Sequence, residues 1–346
     1  MKRTTMRRWF IISLALVSLP LLLYGVFSGA QYVVSSNPVV ATKVIELFPQ
    51  NELPYFARAT AYSKLGDLDK AIADYARVIE LSPKNQFAYI ARGLAFSRKE
   101  DYDSGIADFT KAIELGSKDS STYTYRGAAY CFKKNYERGI ADFTKAIELG
   151  SKDPKTYSGR GTAYYYSKKD YGRAIDDLTK AIELDSQNAA FYFFRGLAYL
   201  GSKDIDSGIV DFSKAIELAP QNAADAYHAR ASGYVQKGNN LDAITDLTKA
   251  IEIKPDRFHY YNARGDIYGK SGDFTSALAD FQKCLQLNPQ AGSAYFNMAQ
   301  VYELTGDMEN ALTYYKIANQ LDISDNVRVK IDARLDGDWN SYKEWI

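Results

Sequence analysis

Histidine and cysteine are scarce in this sequence, which has two of each among its 346 residues. The cysteines, Cys131 and Cys284, are too far apart in sequence for a metal knuckle or a redox pair, both of which need closely spaced thiols. Neither a Gly-rich phosphate loop nor a nucleophile elbow occurs. We therefore expect no enzymatic activity and no cofactor.

An excess of charge of one sign is also missing. The chain has 43 Lys and Arg against 42 Asp and Glu, a net charge of +1. Nucleic-acid binding depends on clustered Lys and Arg that meet phosphates. The balance predicts that the partner is not a nucleic acid.

Charged residues are absent altogether from residues 9–34, directly after a basic flank at 1–8. A helix needs about 20 apolar residues to span a bilayer, and this run is longer. The run predicts a transmembrane anchor at 9–34. Ser28-Gly29-Ala30 has the small-x-small form of a signal-peptide cleavage site, so a cleaved secretory signal is the alternative.

The basic flank also predicts the topology, because Lys and Arg are retained on the cytosolic side. We expect a single-pass protein with a cytosolic N-terminus at 1–8 and its remaining domains outside the cytosol, in the periplasm if the protein is bacterial. The alternative is a mitochondrial outer-membrane receptor, in which the repeats face the cytosol.

Most of the remaining sequence consists of similar repeats. The stretch GIADFTKAIELGSKD occurs at 105–119 and again, unchanged, thirty-four positions later at 139–153. Each unit of this period holds two apolar stripes at i, i+3, i+4 and i+7 spacing, separated by a polar turn, which predicts a repeated helix hairpin. The eight units are 52–85, 86–119, 120–153, 154–188, 189–222, 224–257, 258–291 and 292–325.

Two positions of the unit are strongly patterned. Position 4 is always tyrosine and position 8 is always small. The tyrosines are Tyr55, Tyr89, Tyr123, Tyr157, Tyr192, Tyr227, Tyr261 and Tyr295, and the small residues are Ala59, Gly93, Gly127, Gly161, Gly196, Ala231, Gly265 and Ala299. This pattern resembles the tetratricopeptide repeat family. The resemblance implies an all-α helix-hairpin solenoid, a superhelix, here behind an N-terminal transmembrane helix.

Caps are expected at both ends of the repeats, because a terminal repeat must cover its exposed apolar face. Residues 41–51 read like the end of a second helix, so we predict an N-terminal capping helix at 38–51. Residues 326–346 predict a C-terminal capping helix, with Val327, Ile331 and Leu335 on one face, followed by an aromatic tail. The tail either packs back on that cap or binds a partner.

Arginine at position 7 is matched by aspartate at position 23 in seven units, and the eighth unit lacks both. In an antiparallel hairpin these positions lie opposite each other, so we predict a structural ladder of ion pairs. A row of arginines that binds an acidic ligand is the alternative. The predicted pairs are Arg58–Asp74, Arg92–Asp108, Arg126–Asp142, Arg160–Asp177, Arg195–Asp211, Arg230–Asp246 and Arg264–Asp280.

The resemblance further implies that positions 2, 5, 9, 12 and 13 line a concave groove that binds a peptide or protein. The predicted groove residues are Leu53, Phe56, Phe87, Ile90, Leu94, Tyr165, Tyr166, Phe193, Leu197, Leu200, His228 and His259. The family's carboxylate clamp is not matched, since only Lys155 and Asn297 come near it. We expect a scaffold that assembles a protein complex. A small-ligand or metal-binding protein that uses the polar end of units six and seven, and a self-associating structural module, remain alternatives.

Overall fold

The computed structural model describes residues 37–335 except Asp322, and the side chains of Lys168 and Asn326 are also not described. The predicted flank at 1–8, the predicted anchor at 9–34 and the aromatic tail lie outside these residues. Within 37–335, no helix combines the length and apolarity that crossing a bilayer requires.

The described residues form eighteen α-helices and no strand. They group into two units, one ending at Ser167 and one beginning at Lys168. The first unit contains α1 Pro38–Leu47, α2 Glu52–Leu65, α3 Leu68–Leu81, α4 Gln86–Arg98, α5 Tyr102–Glu114, α6 Ser120–Phe132, α7 Tyr136–Glu148 and α8 Pro154–Lys168, whose last residue belongs to the second unit. The second contains α9 Tyr171–Leu184, α10 Ala189–Gly201, α11 Ile205–Leu218, α12 Ala224–Gln236, α13 Asn240–Ile253, α14 Phe258–Lys270, α15 Phe274–Leu287, α16 Gly292–Thr305, α17 Met308–Asn319 and α18 Asp325–Leu335.

The second helix of every repeat starts at the same kind of residue, an Asp or Asn at position 16. Its side chain accepts a hydrogen bond from the backbone N–H three residues later, which satisfies one of the unpaired donors of the first turn. In the third repeat, Asn135 caps Arg138 in this way. The capping residues are Asp67, Asp101, Asn135, Asp170, Asp204, Asn239, Asp273 and Asp307.

The residue before each of these caps has a left-handed backbone, which lets the chain reverse between the two helices. Four repeats have glycine there, as at Gly66 with φ of 84°, and four have another residue, as at Lys134 with φ of 60°. A left-handed conformation is unfavourable for any residue with a Cβ. The turn geometry is therefore retained even where the sequence opposes it.

Close packing within the hairpins explains the small residues at position 8. A Cβ added to Gly93 would lie 2.8 Å from Cε1 of Phe109, which is fully buried on the facing helix. In the next repeat, a Cβ on Gly127 would lie 3.1 Å from the carbonyl oxygen of Gly139. The two helices of a hairpin approach so closely that only the smallest side chains fit.

In five repeats, the tyrosine at position 4 links the first helix to the preceding exit turn. Tyr89 Oη donates to the carbonyl oxygen of Pro83 at 3.4 Å, and Tyr157 donates to that of Ser151 at 3.3 Å. Ser151 replaces the family's proline and also hydrogen-bonds Thr156 at 2.9 Å. Serine and threonine thus take over the role of proline in the duplicated GSKD turn.

Both ends of the described chain are closed by a single helix. Ala41 of α1 is fully buried, and α1 packs on α2. At the other end, Ile331 of α18 is fully buried against α17, with Val327 and Leu335 packed around the same cluster.

Candidate partner-binding surface

The ion-pair ladder is the most regular polar feature of the first helices. Arg126 Nε donates to Asp142 Oδ2 at 2.8 Å, and Nη2 donates to Oδ1 at 2.8 Å. Asp142 is buried. The hydrogen bond to Asp142 raises the pKa of Arg126, while partial burial acts in the opposite direction. Two parallel bonds to one carboxylate give both energy and a fixed orientation.

The same bidentate contact recurs at 2.7–2.8 Å in five further repeats: Arg58–Asp74, Arg92–Asp108, Arg195–Asp211, Arg230–Asp246 and Arg264–Asp280. In the fourth repeat, Asp177 is buried on α9, and Arg160 donates to Thr144 at 3.1 Å.

Sequence reasoning missed the third contact of these arginines. Arg126 Nη1 donates to Thr110 Oγ1 of the preceding repeat at 3.1 Å, and Arg58 Nη1 donates to Thr42 of α1 at 3.0 Å. A hydroxyl at position 25 of the preceding unit was the available signal, since Thr or Ser stands there in most units. Five guanidiniums are thereby occupied on both sides, which favours a structural ladder over a site for an acidic ligand; they belong to Arg58, Arg126, Arg195, Arg230 and Arg264.

The exposed apolar part of the predicted groove lies on α2 and α4. Leu53 is 50% exposed and Phe87 is 62% exposed. Leu53 borders one shallow depression with Phe48, and Phe87 borders a second, while Glu52 lines both. Phe56 is only partly exposed, because its ring packs edge-on against Tyr75 with centroids 5.4 Å apart.

Ile90 was expected on the groove surface, and this expectation is wrong. Its side chain is 9% exposed and packs in a core cluster with Phe109 and Ala112 of α5. Leu94 contacts the same cluster and is partly buried. The small Gly93 leaves room for the Phe109 ring, and this ring packs in the same cluster as Ile90.

Aromatic side chains of the first unit also stack between consecutive repeats. The exposed Tyr166 stacks on Tyr136 with centroids 5.8 Å apart, and Tyr165 meets Tyr166 edge-on at 5.0 Å. Phe132 was missed. It is exposed and stacks on Tyr102 at 4.9 Å, and it occupies position 13, the position that singled out Tyr166.

In the second unit, the predicted apolar residues are half-buried. Phe193 meets Phe212 at 5.9 Å, and Leu197 is partly exposed. Leu200 is placed against its neighbours: Cβ atoms built on Gly208 and Gly233 would lie 3.1 and 3.5 Å from its Cδ2 atom. Leu200 therefore fills a gap between α10, α11 and α12, and it offers little surface to a partner.

The rings of His228 and His259 lie beside each other. Their ring centroids are 5.4 Å apart. Tyr260 lies beside both rings and donates from Oη to Asp225 Oδ1 at 2.6 Å, while Lys254 binds the other oxygen of Asp225 at 2.9 Å. Desolvation and then the neighbouring His259 lower the pKa of His228. Desolvation also lowers the pKa of His259.

Family comparison agrees with this repeated geometry. Models of the tetratricopeptide repeat match residues 54–85, 88–118, 189–222 and 262–326, and a TPR repeat model matches 164–203 and 231–272. The chain belongs to the tetratricopeptide repeat (TPR) family. The resemblance that the position-4 tyrosines suggested is thus confirmed.

Solved structures share the TPR fold. The Cut9–Hcn1 hetero-tetramer of the APC/C is 19% identical, with a TM-score of 0.57, over 69% of this chain and 46% of the other. A TPR protein from Parabacteroides merdae is 17% identical over 75% and 98%, with a TM-score of 0.55. PilF from Pseudomonas aeruginosa is 14% identical over 62% and 97%, with a TM-score of 0.54. These identities show the fold alone, and a search of curated proteins gave no match.

TPR proteins are scaffolds for protein–protein interaction and are typically non-enzymatic. Among residues 37–335, no group of three His, Cys, Asp or Glu side chains is arranged to hold a metal ion.

Proposed function

We propose that this TPR chain is a membrane-tethered scaffold that binds a peptide or protein partner through the first helices of its N-terminal unit, as a step in assembling a protein complex. The observation that carries the proposal is the exposure of Leu53 and Phe87 at equivalent positions of α2 and α4. A few buried aromatic and aliphatic anchors usually supply most of the binding energy of an interface.

The surroundings of these two side chains suit a peptide. The depressions beside them share Glu52 and are bordered by polar groups of the exit turns, including Asn51 and Asn85. An apolar surface rimmed by polar residues is typical of interaction sites. The His228–His259 region lacks such exposed apolar anchors, so we place the main binding energy on the first unit.

The tether is proposed from the apolar run at 9–34, and the orientation from the basic flank at 1–8. With the positive flank in the cytosol, the repeats lie outside it. Protease added to the cytosolic face of sealed membranes should leave the repeats intact, whereas protease on the opposite face should digest them. Digestion from the cytosolic face would reverse the topology.

The binding site is tested by capture from native membranes with the full chain and with a Leu53→Ser, Phe87→Ser double variant. We expect the double variant to lose a specifically captured protein and to keep its helical circular dichroism, because both side chains are exposed. A matched control is Leu241→Ser, which removes an exposed leucine from α13. Equal capture by all three proteins would exclude this surface.

The same experiment separates scaffold from self-association. If the species lost from the double variant is the chain itself, and light scattering shows that the wild type but not the variant is oligomeric, the surface is an interface between copies.

A further inference from the structure

Helix α1 has fewer helix neighbours than the second helices of the later repeats. In repeats one, two, five, six and seven, the second helix packs against the first helix that precedes it in the chain and against the one that follows it. Among the described residues, α1 has only the following one, α2, against which Ala41 is buried and to which Thr42 is bonded through Arg58. One side of α1 is therefore without a protein neighbour in residues 37–335.

The uncovered side is largely apolar. Val39, Val40 and Leu47 are 63%, 39% and 63% exposed, and Lys43 between them is also exposed. At 100° per residue, these four positions fall on one half of the helix, opposite Ala41. We call them the outer face of α1. Val40 stands at position 23, where seven repeats have the buried aspartate of the ladder, so this side of α1 has lost the residue that would pair with a first helix.

The upstream sequence does not supply a matching first helix. Counting back one period from the first repeat places Leu21 at position 4, Ser28 at position 11 and Val33 at position 16. All eight repeats have tyrosine at position 4, an aromatic residue at position 11 and Asp or Asn at position 16. The contacts that hold a first helix in place would be missing.

The distance to the apolar run points to a different occupant. Only residues 35–37 separate Val34 from Pro38, and three extended residues reach roughly 10 Å. If the run is retained as an anchor, α1 starts at the bilayer surface. Lys43 lies among the apolar residues of this face, and the exposed Glu46 lies at its edge. Such a face suits the lipid interface, since the lysine stem can lie along apolar surface and carry its charge to the polar headgroups.

We propose that the outer face of α1 rests on the lipid bilayer, with the helix axis along the membrane surface. This inference rests on the tether of the proposed function. The apolar area is small, but the anchor keeps it at high effective concentration at the membrane, so weak contacts suffice. Because α1 is bonded to α2 through Arg58, seating α1 also orients the first repeats against the membrane.

Spin labels on the full chain in phosphatidylcholine–phosphatidylglycerol bilayers test this proposal. Val39→Cys and Leu47→Cys place labels at the two ends of the outer face, and Leu241→Cys is the control on an exposed leucine of α13. Burial raises the pKa of Cys131 to about 12 and that of Cys284 to about 11, so labelling near pH 7.5 targets the introduced thiol. Labelled wild type measures the remaining background.

Collisions with oxygen and with a water-soluble nickel chelate distinguish the possible surroundings. We expect both α1 labels to be accessible to oxygen and protected from nickel, with an oxygen-to-nickel ratio several times that of the control. High nickel access at both sites would show that the face is in water. Low access to both reagents would show a protein cover, either upstream residues or a second copy. Lipid access at residue 39 alone would show an upright helix.

Each of these three results overturns the proposal. Failure of the tether is recognised separately: if carbonate extracts the wild-type chain from membranes, the anchor itself is absent.

Discussion

Arg126 and Asp142 are joined by two parallel hydrogen bonds of 2.8 Å across the hairpin of α6 and α7. The guanidinium also lies over the ring of Tyr123, with its carbon 5.8 Å from the ring centroid. Together, the ion pair and the ring contact connect both helices of one repeat. Through Thr110, it also reaches the repeat before it.

Replacing Arg126 with Met should destabilise the fold strongly. An uncompensated buried carboxylate costs about 3–5 kcal/mol, and Asp142 is buried. Adding Asp142→Tyr should recover part of the loss, because the eighth repeat already has this combination as Met298 and Tyr314. Urea unfolding of the wild type, both singles and the double measures the coupling.

An exposed ion pair provides the control. Lys145 and Glu148 form a 3.0 Å contact on the surface, with half or more of each side chain exposed. Lys145→Ala should leave the free energy of unfolding almost unchanged, because exposed ion pairs contribute little to stability. If the Arg126 variant costs no more than this, or if the double loss equals the sum of the singles, the ladder is not a coupled structural element.

Lys134→Gly should stabilise the protein by about 0.5–1 kcal/mol. Lys134 has φ of 60°, a conformation that glycine adopts without the Cβ clash. The reverse change, Gly66→Lys, should destabilise by a similar amount. A Cβ on residue 66 would meet no atom within 4 Å, so the only cost is the left-handed backbone conformation that the lysine would have to adopt. Thermal unfolding of both variants should show a higher midpoint for Lys134→Gly and a lower midpoint for Gly66→Lys.

Acidification should destabilise the second unit through His228 and His259. Both pKa values are lowered in the folded state, so the unfolded chain takes up protons first. Stability should fall as pH drops below about 6.5, the unfolded value of histidine, and level off below the folded values. The groups facing the pair are Asp225, Lys254, Arg257 and Tyr260.

Asp225 contributes to stability in a different pH range. Desolvation acts to raise its pKa, but hydrogen bonds from Lys254 and Tyr260 leave that pKa below its usual value. The contribution of Asp225 to stability is therefore lost only at a lower pH than the contribution of the histidines.

A His228→Gln, His259→Gln variant tests the role of the histidines. Its free energy of unfolding, measured by urea titration, should depend much less on pH between 7.5 and 5.5 than that of the wild type. An unchanged slope would assign the effect to other groups.

Ile90→Ser and Phe87→Ser should differ sharply although they lie one turn apart on α4. Ile90 is in the core, and truncating such a residue costs about 2–5 kcal/mol. Phe87 is exposed, and its replacement should stay within about 0.5 kcal/mol. Denaturation midpoints compare the two directly, and equal losses would mean that the assigned register of α4 is shifted.

Much of this fold could be predicted from the sequence, because the same residue pattern occurs in every repeat. The tyrosine at position 4 and the paired Arg and Asp recur at fixed spacing, and so many matches to one pattern do not arise by chance. Arg126 and Asp142 lie opposite each other because the hairpin turns midway between them, which needs only the period and the turn position.

It was harder to predict which of the proposed groove residues are exposed and which are buried. Phe87 and Ile90 are both apolar and share one helical face in the register, but the Phe109 ring on the neighbouring helix buries only Ile90. The third arginine contact, to Thr110, crosses between repeats, and threonine itself gives no charge signal. Such distinctions depend on which side chain fills a space, and periodicity does not report that.

Site-specific photocrosslinking in native membranes tests the proposed binding surface most directly. A benzophenone side chain placed at Phe87 of the full chain should crosslink to one discrete protein. The same group at Leu241 should not, and adding Leu53→Ser should weaken the Phe87 crosslink. If residue 241 gives the same product as residue 87, or if residue 87 gives none while the wild-type chain still captures its partner, the surface of α2 and α4 is not the binding site.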